Sequence, residues 1–171
     1  MLEDEFTRPP HSKLHPTEFV GKILEGLLQP YDPLPDAGFR RLLRASTDEW
    51  RSNILHSIGA PNTAPDEVVA SALGAAISRP NNQFGILVGV EDAEDYYLSF
   101  PTDLLDFEDG TCWLECHLRG KTDNALLVAM GWDLRQRPSD GAWLVDSIDW
   151  QDFRDRYCPG IGREEWMRIC G

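Results

Sequence analysis

One change of hydrophobic period divides this chain. Phe19, Val20, Ile23, Leu24, Leu27 and Leu28 recur in adjacent pairs every four residues. That spacing lays one apolar stripe along a helix. Residues 111–119 alternate instead. Cys112, Leu114, Cys116 and Leu118 fall on one side of a strand, and Trp113, Glu115, His117 and Arg119 on the other. Neither pattern can serve as the other, so the chain begins helical and continues as sheet. Helices gathered ahead of the strands indicate an α+β fold rather than a parallel α/β sheet.

Local signals divide the two halves further. Pro16 suits the first turn of the opening helix and Pro30 stops it. Residues 31–36 are turn-rich, and Asp36 is placed to cap a short helix carrying Phe39, Leu42 and Leu43. Ser46 with Glu49 forms a capping-box pattern before Trp50, Ile54, Leu55 and Ile58, with Gly59 as the stop. A further helix is predicted at about 64–78, with Val68, Val69, Ala72, Leu73, Ala76 and Ile77 as its apolar set and Pro80 after it. Strands are predicted at 84–90, 96–100, 111–119, 124–137 and 142–149. The last two are joined through the Pro138-Ser139-Asp140-Gly141 turn. A short helix is expected from about Gly162. The domain reading is a loose arm over 1–15, one α+β domain over 16–157, and a C-terminal turn and short helix over 158–171.

Charge narrows the function classes. Sixteen Lys plus Arg against 29 Asp plus Glu leave a net charge of −13. Such a surface repels phosphate backbones, so no nucleic-acid partner is expected. No run approaches the length of a membrane span, and none is expected. The start, Met-Leu-Glu-Asp-Glu, has neither the basic nor the apolar region of a secretory signal. The expectation is an intracellular protein of the cytoplasm, or of the plastid stroma if a transit peptide has been removed. Cys112 and Cys116 lie about 13 Å apart along one strand, too far for a mutual bridge. Reduced thiols are expected at Cys112, Cys116, Cys158 and Cys170.

Three stretches resemble a known family. They are Pro33-Leu34-Pro35-Asp36-Ala37-Gly38-Phe39, then Trp132-Asp133-Leu134-Arg135-Gln136, then Gly141-Ala142-Trp143-Leu144-Val145-Asp146-Ser147-Ile148. Together with helices leading into a meander, they resemble the nuclear-transport-factor-two-like superfamily, and plant and algal members in particular, over about residues 16–150. The resemblance implies N-terminal helices packed on a strongly curved antiparallel sheet, the cystatin-like cone. That cone hosts dehydratases, isomerases, cyclases and binding modules alike.

The candidate chemistry is sparse. His117 is the acid/base candidate, with Asp146 or Asp133 as its orienting carboxylate; the other reading is a histidine on a solvated sheet face. Asp146, between apolar neighbours, is either a base with a raised pKa or a structural acceptor. Trp113, Trp132, Trp143 and Met130 are candidate walls of a ligand pocket, Trp150 a further strand tryptophan, and all of them equally core or dimer-interface residues. Cys116 and His117 point to opposite faces of one strand, and no C-x-x-C pattern exists, so no metal is expected. No nucleotide fingerprint is present, and no cofactor is expected. Pro159–Glu165 is either a phosphate-cradling turn or a capped helix start. Residues 91–110 carry eight acids and no Lys or Arg, so they form either a docking segment or a solvated loop.

These features favour a non-catalytic binding or assembly module, holding an apolar ligand or a partner segment. As partners they suggest a second copy in a homodimer, or the other subunits of a complex. One alternative is a cofactor-free lyase or isomerase using the His/Asp pair. The other is an acidic adaptor working through 91–110.

Overall fold

The computed structural model describes residues 14–29, 35–78, 83–88 and 95–153. Among the described residues four helices precede a five-stranded antiparallel sheet, so the fold is α+β. The helices are α1 (Pro16–Leu28), α2 (Ala37–Arg44), α3 (Asp48–Ser57) and α4 (Asp66–Ile77). The strands are β1 (Tyr96–Ser99), β2 (Leu105–Asp106), β3 (Thr111–Gly120), β4 (Leu126–Gln136) and β5 (Trp143–Phe153).

The opening stripe does what its spacing dictates. Phe19, Val20, Ile23, Leu24 and Leu27 of α1 are buried, whereas Leu28 at its end is 41% exposed. The first turn contains Pro16 as read from sequence, and the His15 side chain accepts from the Thr17 amide. Asp36 stands at the N-cap of α2 but makes no capping bond with its side chain; its backbone is left-handed at φ 60°. Its carboxylate lies instead beside Gly74 of α4, whose missing side chain admits the Phe39 ring.

The cap of α3 lies one residue later than the capping-box reading. Thr47, not Ser46, accepts from the Trp50 amide at 3.2 Å. The physical reason is that the chain runs from α2 directly onto the sheet edge. Val145 donates to the Ala45 carbonyl, Thr47 donates to the Val145 carbonyl, and Ser46 forms a parallel bridge with Val145. The Ser46 hydroxyl turns back to the Leu42 carbonyl. Gly59 ends α3 as expected: at φ 71° it donates to His56, while Ala60 donates to Leu55, a Schellman pair. In α4 the buried set is Val69, Ala70, Leu73 and Gly74; Val68 and Ala72, read as apolar face, are exposed.

The strand predicted at 84–90 is a 3₁₀ helix, Gln83–Val88. Ile86, Leu87 and Val88 are all buried there, so the run is apolar without a period that could separate strand from helix. The short β2 is an element the sequence did not announce. Conversely, β5 continues beyond the predicted limit of 149 to Phe153.

The sheet runs β1-β3-β4-β5, with β2 also paired to β3. β4 takes one side of β3; β1 and β2 share the other, opposite residues 117–120 and 112–113. The sheet is open rather than closed into a barrel, so its antiparallel α+β character stands while the cone of the resemblance is not part of the description. Register shifts leave Leu127, Asp146 and Gln151 each as the extra residue of a bulge. Bulges raise local twist and blunt an edge against further pairing. The arm over 1–13, residues 30–34, 91–94, Cys158, Cys170, the Pro159–Glu165 turn and the terminal helix lie outside the described residues.

Candidate functional site

Antiparallel register decides which side chains share a face, because directly paired residues point the same way. On the inner face the rows are Cys112–Leu134–Val145, Leu114–Trp132–Ile148 and Cys116–Met130–Trp150. All nine are buried and belong to one core with residues of α1, α2, α3 and α4. On the outer face the rows are Trp113–Asp133–Ser147, Glu115–Gly131–Asp149 and Ser99–His117–Ala129. Leu105 pairs with Trp113 and extends that face outward.

This placement separates the candidate residues. Trp132 and Met130 are wholly buried on the inner face, and Trp143 packs at the margin of the same core. Trp113 is on the opposite face. The four proposed pocket residues therefore do not share one enclosure. The indole Nε1 atoms of Trp50 and Trp132 are buried without an acceptor among the described residues.

His117 and the two aspartates are likewise apart. His117 Nε2 lies 2.8 Å from Glu115 Oε1, and its Nδ1 is buried with no partner among the described residues. Its β4 neighbour is Ala129, four residues and about 13 Å from Asp133. Asp133 accepts from the Ser147 hydroxyl at 2.7 Å. Asp146, the bulged residue, accepts from the Thr47 hydroxyl at 2.9 Å and from Arg135 Nη2 at 3.1 Å. It thus ties the start of α3 to β4 and β5. Each candidate carboxylate serves a bond that holds elements together, and the histidine pairs with a glutamate of its own strand.

The other titratable groups are equally settled. Burial pushes the Cys112 and Cys116 thiols up to about 12, so both remain protonated and unreactive near neutral pH. The Tyr96 phenol is also pushed upward by burial, and it donates to the Leu87 carbonyl. In the β4–β5 turn Asp140 falls to about 2, held first by its bond from Arg137 and then by the Ala142 amide. Among the described residues no cluster of His, Cys, Asp and Glu could hold a metal ion, and no helix is long and apolar enough to cross a membrane.

Sequence reasoning missed the feature that shapes the outer face. Gly131 sits in mid-strand, and a Cβ there would lie 2.6 Å from Trp113 Nε1 and 2.9 Å from its Cζ2. The Trp113 ring therefore lies flat across the Gly131 backbone. An interior strand glycine is itself a signal of such close approach. Gly131→Ala must lift the ring, and overpacking of this kind costs about 1–3 kcal/mol. A lowered urea midpoint together with a moved Trp113 indole resonance is the expected result; an unmoved resonance contradicts the contact. Beside Trp113 the surface is apolar at Leu105, 53% exposed, and Phe107, 55% exposed, whereas the exposed Tyr97 lies opposite Arg119, about 20 Å further along β3. Asp103, Asp106, Glu108 and Asp109 of the acidic stretch are also exposed beside Trp113. No family model matches this chain, and neither a curated protein nor a solved structure matches it.

Proposed function

We propose that this protein is a non-catalytic assembly module that pairs with a second copy of itself through the outer face of its sheet. The observation that carries the reading is the exposed apolar pair Leu105 and Phe107 beside the half-buried Trp113, on the face away from the helices. Large apolar side chains grouped at a surface mark an interaction site. The size is right as well. Strands of ten and eleven residues run about 35 Å, and four strand positions span about 19 Å. The product, about 650 Å², approaches the roughly 800 Å² per partner of a standard interface.

The outer face carries both signs of charge: Glu115, Asp133 and Asp149 lie with Arg119 and Arg135, and the exposed Asp103, Asp106, Glu108 and Asp109 lie at its margin. A two-fold contact presents the same mixed surface twice, so acids of one copy can meet bases of the other. The enzymatic alternative gains no support from a histidine paired with glutamate and aspartates engaged elsewhere. Sedimentation velocity tests the proposal. Wild-type protein is expected to dimerise at micromolar concentration. Phe107→Asp, at an exposed position, and Trp113→Glu should each raise the dissociation constant about thirtyfold, the effect of losing about 2 kcal/mol. A wild type that stays monomeric at about 100 μM contradicts the reading.

A second reading has one observation in its favour. The unpartnered Trp50 and Trp132 indoles are donors, so an apolar ligand bearing an acceptor and held on the helix side of the sheet would satisfy them. Native mass spectrometry of protein from its own source separates the two readings, as a doubled mass or a retained small molecule.

A further inference from the structure

We infer that two copies pair about a two-fold axis running across the strands, so that Arg119 of one copy seats on the outward face of Trp113 of the other. This rests on the proposed pairing through the outer face and adds how the copies are turned. Sheets packed face to face in the aligned manner keep their strands within about 30° of each other. For two identical sheets the two-fold axis then runs either along the strands or across them. Along the strands, like ends meet, and the β2 margin of one copy lies over β5 of the other. Across the strands, unlike ends meet, and β2 of one copy lies over β1 of the other.

The two ends differ in charge. At the Trp113 end Asp103, Asp106, Glu108 and Asp109 are exposed, while Arg135 is bonded to Asp146 and Arg137 to Asp140. At the other end Arg119 and the exposed Lys121 stand with the exposed Asp95 and Asp123, which leaves that end close to neutral. An axis along the strands lays the acidic margin over Ser147 and Asp149 of β5, and Trp113 over Asp133. An axis across them lays the same margin near Arg119 and Lys121. Unlike charges facing each other favour the second arrangement, since facing carboxylates repel.

The apolar groups agree with the charges. Leu105 pairs with Trp113 and Tyr97 with Arg119, both on the same edge of β3, and the Phe107 amide bonds Thr111 on that edge. Turning about the middle of β3 exchanges its ends, so the exposed Leu105 and Phe107 of one copy cover the exposed Tyr97 of the other. The same turn exchanges positions 113 and 119, which stand about three residues either side of that middle. Trp113 has one ring face on Gly131 and the opposite face outward. Arg119 Nη1 donates to the Asn124 carbonyl at 3.1 Å, a bond in the guanidinium plane that leaves the faces of the group for stacking. A guanidinium over an indole face is a favourable cation–π pair.

The test is sedimentation velocity of the full chain, with circular dichroism to show that each variant is folded. In a two-fold pair every contact occurs twice, so a reversed charge repels in both. Arg119→Glu alone and Asp103→Lys/Glu108→Lys alone should each raise the dissociation constant at least tenfold. An equimolar mixture of the two should dimerise within about threefold of wild type. In the mixed pair the substituted side chains face each other in one contact and the natural ones in the other. If wild type dimerises but Arg119→Glu dimerises equally well, or the mixture is as weak as its components, the arrangement is overturned and the outer-face pairing stands. A wild type that stays monomeric overturns both.

Discussion

Trp132→Ala is expected to lower the stability of the folded chain by about 3–5 kcal/mol, a large part of the roughly 5–15 kcal/mol that holds a domain of this kind together. Trp132 is 0% exposed and centred on the inner face of β4, with Leu114 on one side and Ile148 on the other. Its neighbours are held from three directions: by the strands, by Met130 and Leu134 two residues away on the same strand, and by the helices that share the core. A hole at that centre cannot close by the shift of a single side chain, which places the cost toward the upper end of the large-to-small range. Trp132→Phe supplies the contrast. It shortens the ring but also removes the buried indole donor that has no acceptor, an omission that itself costs about 1–3 kcal/mol. The two terms oppose each other, so the phenylalanine variant should stay within about 1 kcal/mol of wild type. Urea unfolding of both variants checks this. An alanine variant as stable as wild type would remove Trp132 from the centre of the core.

The parts of the fold that the sequence made legible are those where one face is buried and the other is not. β3 is the clearest case: its burial alternates residue by residue from Thr111 to Gly120, as the spacing of Cys112, Leu114, Cys116 and Leu118 predicts. α1 is legible for the same reason at helical period. β4 is legible as a strand, expected at 124–137 and found at Leu126–Gln136, but not by face, because Ala129 and Gly131 are buried on the outer face as well and alternation disappears. The 3₁₀ helix was read as a strand because Ile86, Leu87 and Val88 are buried in succession. The offset from Ser46 to Thr47 came from a contact with Val145, ninety-eight residues beyond Thr47, which no local signal can carry. The candidate site followed the same division. That Trp113, Glu115 and His117 share a face is readable from one strand alone. That His117 lies opposite Ala129 and far from Asp133 depends on the β3–β4 register, which turn lengths and bulges set. Arg44 and Arg51, which meet on Asp66, give no periodic signal, since their meeting depends on how α2, α3 and α4 pack.

Alkali should unfold this protein well before its arginines titrate. Cys112 and Cys116 are 1% and 0% exposed, and desolvation pushes both thiols from 9.0 to about 12; for Cys112 the carboxylates of Asp106 and Asp133 add to the rise. Between these two values the unfolded chain has released protons that the folded chain still holds. Stability then falls as pH rises, because the state binding fewer protons is the one that alkali favours. Below pH 9 both states carry neutral thiols and the term vanishes. Above it, each thiol costs about 1.4 kcal/mol per pH unit, so the pair removes about 5 kcal/mol by about pH 11. Tyr96, buried beside Cys116 and also pushed upward, acts in the same direction once the unfolded phenol ionises. The measurement is the urea midpoint from about pH 8 to pH 11, with Cys116→Ala as the comparison. Wild type should lose stability steadily over that range. The variant should begin slightly less stable, through its small cavity, and then decline along a slope shallower by the share of one thiol. A wild-type midpoint that stays level to about pH 11 would mean that these thiols are not sealed between the sheet and its helices.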